Sequence, residues 1–118
     1  MKVYIICPVR RATNNITEIV AGYVADLEGK GHNVHYPPRD VEQSDKTGFN
    51  ICCAHREAME NADEVHMWWD QSLSSWSPFD LGMAWTLRKP IKLINAIENT
   101  PHKSGNAFIL EWIRRQKY

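Results

Sequence analysis

Val3-Tyr4-Ile5-Ile6-Cys7-Pro8 is an unbroken apolar run with β-branched residues, closed by a proline. Strands with one wet face alternate, so a continuous run suits a central parallel strand covered on both faces. A polar loop follows over residues 9–14. Ile16, Ile19, Val20, Tyr23, Val24 and Leu27 then recur at helical spacing. Asn15 with Glu18 reads as a capping box, and Gly29 and Gly31 as the stop.

The same alternation continues along the chain. Asn33 to Tyr36 reads as a second strand, closed by Pro37-Pro38. Arg39 to Gly48 carries no apolar period and is predicted to be a long loop, a kind of segment often used for function. Ile51 to Ala62 reads as a second helix and Glu64 to Trp69 as a third strand, with Asp70 at its end. Residues 71–78 read as a Ser/Trp/Pro loop. Ser77 is the expected N-cap of the next helix, with Pro78 at its first position and Asp80 three residues past the cap. Phe79, Met83, Trp85 and Leu87 supply the apolar residues of that helix, and Lys89-Pro90 ends it. Ile91 to Ile94 reads as the fourth strand. Asn106 to Gln116 reads as a last amphipathic helix with Phe108, Ile109, Trp112 and Ile113 on its apolar face.

Strand–helix alternation of this kind implies a mostly parallel sheet with helices on both faces. The expected fold is α/β: one domain over residues 1–118, three-layered and Rossmann- or flavodoxin-like, with a four- to five-stranded sheet. The fifth strand has no obvious place in the sequence. The chain has 118 residues and 43% hydrophobic content, enough for one core.

Composition excludes several classes. The formal net charge is zero, which argues against a general binder of nucleic-acid polymers, since those need a cationic face. A single nucleotide needs only a few donors and is compatible with neutrality. Cys7, Cys52 and Cys53 show no C-x-x-C spacing and read as thiols of a reducing compartment. No stretch approaches the ~20 apolar residues of a membrane span, and a cytoplasmic protein without membrane contact is expected. His32, His35, His55, His66 and His102 show no ligand spacing, so no metal is expected. No G-x-G-x-x-G, Walker or G-x-S-x-G sequence is present, which leaves no expected cofactor and no serine nucleophile elbow.

In open α/β sheets, ligands bind outside the carboxyl ends of the strands. The polar residues there are Pro8 to Arg11, Tyr36 to Asp40, Asp70 to Ser77 and Asn95 to Asn99. The helix N-terminus near residue 77 favours anions, Ser74, Ser75 and Ser77 add hydroxyls, and Arg10 and Arg11 offer charge-assisted contacts to phosphate. From spacing alone, Asp80 reads first as a capping residue and second as a catalytic one. Asp70 reads as an Asx-turn or a functional acid, and Asp63 as a turn residue. Trp76, and after it Tyr36, divide between plain packing and stacking on a base.

Tyr4-Ile5-Ile6-Cys7-Pro8-Val9-Arg10, Asn61-Ala62-Asp63-Glu64-Val65 and Ser74-Ser75-Trp76-Ser77-Pro78-Phe79-Asp80-Leu81-Gly82-Met83-Ala84 together resemble the nucleoside 2-deoxyribosyltransferase superfamily, which includes 2′-deoxynucleoside 5′-phosphate N-hydrolases. The order of elements fits nearly the whole chain. The resemblance implies a carboxylate that attacks C1′ of the sugar, expels the base and passes the sugar to water or to another base. The matching position is Asp80, where family members carry a glutamate one methylene longer. It further implies that Pro8, Arg10 and Arg11 face sugar or phosphate, that Ser74 or Ser75 meets the 5′ end, and that Asp70 orients the substrate or donates a proton. Ser104-Gly105-Asn106 matches a late segment that, in family dimers, completes a neighbour's pocket, so a homodimer acting on a small nucleoside or nucleotide is expected. The other reading of the same scaffold is a non-catalytic nucleotide-binding or sensing module.

Overall fold

The computed structural model describes residues 1–8, 13–70 and 76–116. Strand β1 spans Lys2–Ile6, and Val3 to Ile6 are all buried, as an apolar run covered on both faces requires. It is flanked by β2 (Asn33–His35) and β3 (Glu64–Met67), and β4 (Ile91–Leu93) adds to the far side of β3. The order is β2-β1-β3-β4 and every pairing is parallel. Among the described residues the sheet has four strands, and no fifth joins it.

Register decides which side chains share a face. Tyr4 lies opposite both His35 and Val65, Ile6 opposite Met67, and Val65 opposite Ile91. That face is covered by α3 (Phe49–Asn61), α4 (Trp76–Thr86) and α5 (Gly105–Arg115), which contribute Met59, Leu81, Ala84 and Ile109 to its core. Val3, Ile5 and Val34 point the other way and meet Val20 and Val24 of α1 (Asn14–Gly29). The sheet is therefore the middle of three layers, as expected.

Several boundaries differ from the sequence reading for local reasons. Thr13, not Asn15, caps α1: its extended backbone lets Oγ1 accept from Ile16 N–H at 3.2 Å. Gly31 stops α1 with a left-handed φ of 93°. The second strand ends at His35, because Pro37 and Pro38 start a one-turn helix, α2 (Pro37–Asp40), whose free first N–H positions suit proline. Arg39 and Asp40 thus leave the predicted long loop. Arg39 donates to Val34 O, Glu28 and Asp40, tying α1, β2 and α2 together. The third and fourth strands end at Met67 and Leu93, and the second long helix starts at Phe49 and ends at Asn61.

Two side-chain amides finish the sheet. Asn95 accepts from Trp69 N–H and donates to Trp69 O, clasping the ends of β3 and β4. Gln116 bonds both backbone groups of Ile91, occupying part of β4's outer edge. No helix among the described residues is long and apolar enough to cross a membrane.

Candidate active site

Because all four strands run in parallel, their carboxyl ends lie on one edge. The connection from β1 goes to β2 on one side, while the chain returns to β3 on the other. Such a reversal opens a crevice between the ends of the two strands, here β1 and β3. Cys7 and Pro8 leave one strand there, and Trp68 to Asp70 leave the other.

Helix α4 sets the central group. It already includes Trp76 and Ser77, so Ser77 is not its cap and Pro78 lies within the helix. Asp80 is then one turn inside the helix, past the capping-box position. Ser77, Asp80, Leu81 and Ala84 form the buried stripe, at spacings of three and four residues. Phe79 and Trp85, named above as apolar residues of this helix, face outward at 50% and 53% exposure. The small Ser77 and Ala84 admit close approach to the sheet, which the large aromatics would prevent.

Asp80 is 6% exposed, and its Oδ2 accepts from the Tyr4 hydroxyl at 3.4 Å. The same oxygen lies 3.4 Å from His55 Nδ1. Among the described residues these partners come from β1 and α3, not from the amides of α4 itself. Tyr4 sits at the centre: its ring stacks on His35 at 5.3 Å and meets His55 edge-on at 5.9 Å. Burial, reinforced by the charge of Asp80, pushes the Tyr4 phenol well above its ordinary value, so it remains a donor. Burial and Asp80 also push the Cys7 thiol up to about 12. Cys52 is raised by the same two causes in the same order. Neither thiol is a ready nucleophile, since only the thiolate attacks. Burial lowers His35, against the opposing pull of Asp40.

The other expected site residues are placed as follows. Arg10, Arg11, Ser74 and Ser75 lie outside the described residues. Pro8 is buried beside Cys7, and Asp70 is half-buried where β3 leaves the sheet. Tyr36 is 9% exposed, packs with Val3, Ile5 and Val34, and lies under the Arg39 guanidinium at 5.9 Å. Trp76 is 51% exposed and meets Phe79 edge-on at 5.7 Å. Its indole also borders Gly48, whose φ of 78° starts α3. Ser104 caps α5 by accepting from Ala107 N–H. Asn106 accepts from Trp69 Nε1–H and donates to Glu98 O, so both amide atoms are used within the chain. Asp63 accepts from Lys2 N–H at the opposite edge of the sheet, as a structural residue. A cavity between Trp85, Arg88, Pro90 and Trp112 also lies at that opposite edge and holds none of the expected site residues. No three His, Cys, Asp or Glu side chains among the described residues group as a metal would need.

Tyr4 and His55 were missed as site residues in the sequence. The available signal was a hydroxyl inside a doubly covered strand, which must find a partner, and a histidine at the i−4 position from buried Met59.

Several solved structures share this architecture, two enzymes among them. A 2-deoxyribosyltransferase from the psychrotolerant bacterium Bacillus psychrosaccharolyticus matches at TM-score 0.68 and 20% identity, over 100% of this chain and 92% of its own. This chain has the fold of a deoxyribosyltransferase. The CMP N-glycosidase BcmB from Clostridium botulinum matches at TM-score 0.59 and 16% identity, over 98% of this chain and 81% of its own. No protein-family model and no curated protein sequence matches the chain. At these identities the likeness is one of fold, and it agrees with the resemblance read from the sequence.

Proposed function

We propose that this domain binds a nucleoside or nucleoside monophosphate and cleaves its N-glycosidic bond, with Asp80 as the nucleophile. The observation that carries the reading is the Asp80 carboxylate: buried, and approached at Oδ2 by polar groups from two other elements. A carboxylate used only as a cap would engage its own helix. An Asp80 oxygen bonds C1′ as the C1′–N bond breaks, and the bond's electron pair leaves on the base nitrogen. Asp70 supplies the proton that the departing base takes up. Water then attacks C1′, returns a proton to Asp70 and releases sugar and carboxylate; a second base in place of water makes the reaction a transfer.

Trp76 offers the exposed ring for base stacking, whereas Tyr36 is packed with Val3, Ile5 and Val34. Arg10, Arg11, Ser74, Ser75 and Ser77 are assigned to the sugar and 5′-phosphate, beside Pro8. The fold shared with a deoxyribosyltransferase and an N-glycosidase supports this assignment of chemistry. The decisive experiment incubates purified protein with deoxynucleosides, ribonucleosides and their 5′-monophosphates and follows free base chromatographically. Base release by wild type, abolished in Asp80→Ala, supports the enzyme. Tight nucleotide binding without release assigns the non-catalytic module instead. The latter reading has one observation in its favour: the Asp80 side chain is only 9% exposed.

A further inference from the structure

We propose that His55 is the positioning residue of this site, clamping the Asp80 carboxylate so that one chosen oxygen faces the ligand. The inference rests on the glycosidic reading above and adds a residue to it. A terminal carboxylate rotates in a broad, two-fold torsional well, so its two oxygens exchange unless something holds one of them. Tyr4 Oη and His55 Nδ1 both approach the same atom, Oδ2, each at 3.4 Å. An aspartate has a shorter arm than a glutamate, and a misplacement of about 1 Å in a reacting group costs about 10²-fold in rate. A fixed rotation therefore matters more here than it would for a longer side chain.

The imidazole is poorly explained as packing. His55 is 9% exposed on the inward face of α3, and its Nε2 is buried without a hydrogen-bond partner. An orphaned buried polar atom is a net cost to folding, which an aliphatic residue of similar size would avoid. The groups facing the ring are Asp80 from α4, Tyr4 from β1 and His35 from β2. Of these, only the carboxylate gives Nδ1 an anionic acceptor. The tautomer that serves it carries the proton on Nδ1.

Two readouts test this. The first is kinetic, in whichever nucleoside or nucleotide wild type cleaves. His55→Leu is expected to lower kcat about 10–100-fold with KM within twofold, and His55→Asn, whose amide places an N–H near the Nδ1 position, to recover most of it. The second needs no activity: histidine-labelled 15N NMR at pH 8 shows His55 as the Nδ1–H tautomer in wild type and as the commoner Nε2–H tautomer in Asp80→Leu. Wild-type kcat in His55→Leu, or an Nε2–H tautomer in the wild-type protein, overturns the proposal. Absence of base release by wild type defeats the glycosidic reading alone, and the tautomer then still decides the link between His55 and Asp80. Should His55→Leu not fold, the asparagine variant and the Asp80→Leu spectrum carry the test.

Discussion

Tyr4→Phe removes one oxygen atom from the middle of the candidate site and leaves the ring in place. The side chain is fully buried and its hydroxyl donates to Asp80 at 3.4 Å. A hydrogen bond to a charged acceptor contributes about 1.5–3 kcal/mol, and this one is longer than the usual O–H···O range, which places it at the low end. The expected destabilisation is about 1.5 kcal/mol, or roughly 5 °C in the thermal midpoint of a domain this size. The background reverses the outcome. In Asp80→Leu the phenol has lost its acceptor and is itself the orphan, so adding Tyr4→Phe is expected to be neutral or stabilising. The coupling between the two positions is then about 1.5 kcal/mol, well above the roughly 0.3–0.5 kcal/mol scatter of independent sites. Urea unfolding followed by tryptophan fluorescence measures all four corners of the cycle, and the chain carries five tryptophans to report it. Equal losses for Tyr4→Phe in both backgrounds would refute the claim that these side chains form one unit.

Three further outcomes are expected. Burial holds His35 and His66 below their ordinary 6.5, in His66 against the pull of Glu64, so the unfolded chain binds more protons near neutrality. The stability they contribute is present above about pH 6.5 and is lost as pH falls through the lowered folded values. Asp40, held below its usual range by Arg39, and Glu64, held down by His66, extend the loss in the same direction at still lower pH. Thermal midpoints between pH 8 and 4 should therefore fall monotonically, and a rise on acidification to pH 5.5 would contradict the assignment. Lys89 Nζ donates to Glu60 O and Ala62 O, closing the C-terminal end of α3, and Lys89→Met should cost about 1 kcal/mol in urea unfolding. Cys7, with its thiol raised to about 12, should react with iodoacetamide at pH 8 at least tenfold more slowly than free cysteine, as peptide mass mapping will show.

Most of the scaffold was readable because its signals are local. The run from Val3 to Cys7 declares a doubly covered strand, and the Ile16–Leu27 period declares its helix. Boundaries were less legible where several residues compete for one role. Thr13 and Asn15 are both good caps, and the backbone conformation chose Thr13. Pro37-Pro38 ends a strand in either reading, yet the backbone bonds from Asp40 N–H to Tyr36 O and from Val41 N–H to Pro37 O show that a helical turn follows. Asp80 was singled out with capping and catalysis both open, because the capping register depended on where α4 begins. The helix already includes Trp76, which puts Asp80 past the cap and in the buried stripe.

The amino-acid sequence by itself determined the layered α/β architecture and singled out Asp80 as a candidate carboxylate, since hydrophobic periodicity and strand–helix alternation are properties of neighbouring residues. Only the tertiary structure decided what that carboxylate touches. Tyr4 and His55 lie 76 and 25 positions from Asp80 in the chain, and no local pattern links them. They meet because strand register points Tyr4 toward α3 and α4, and because burial forces each polar group to find the others.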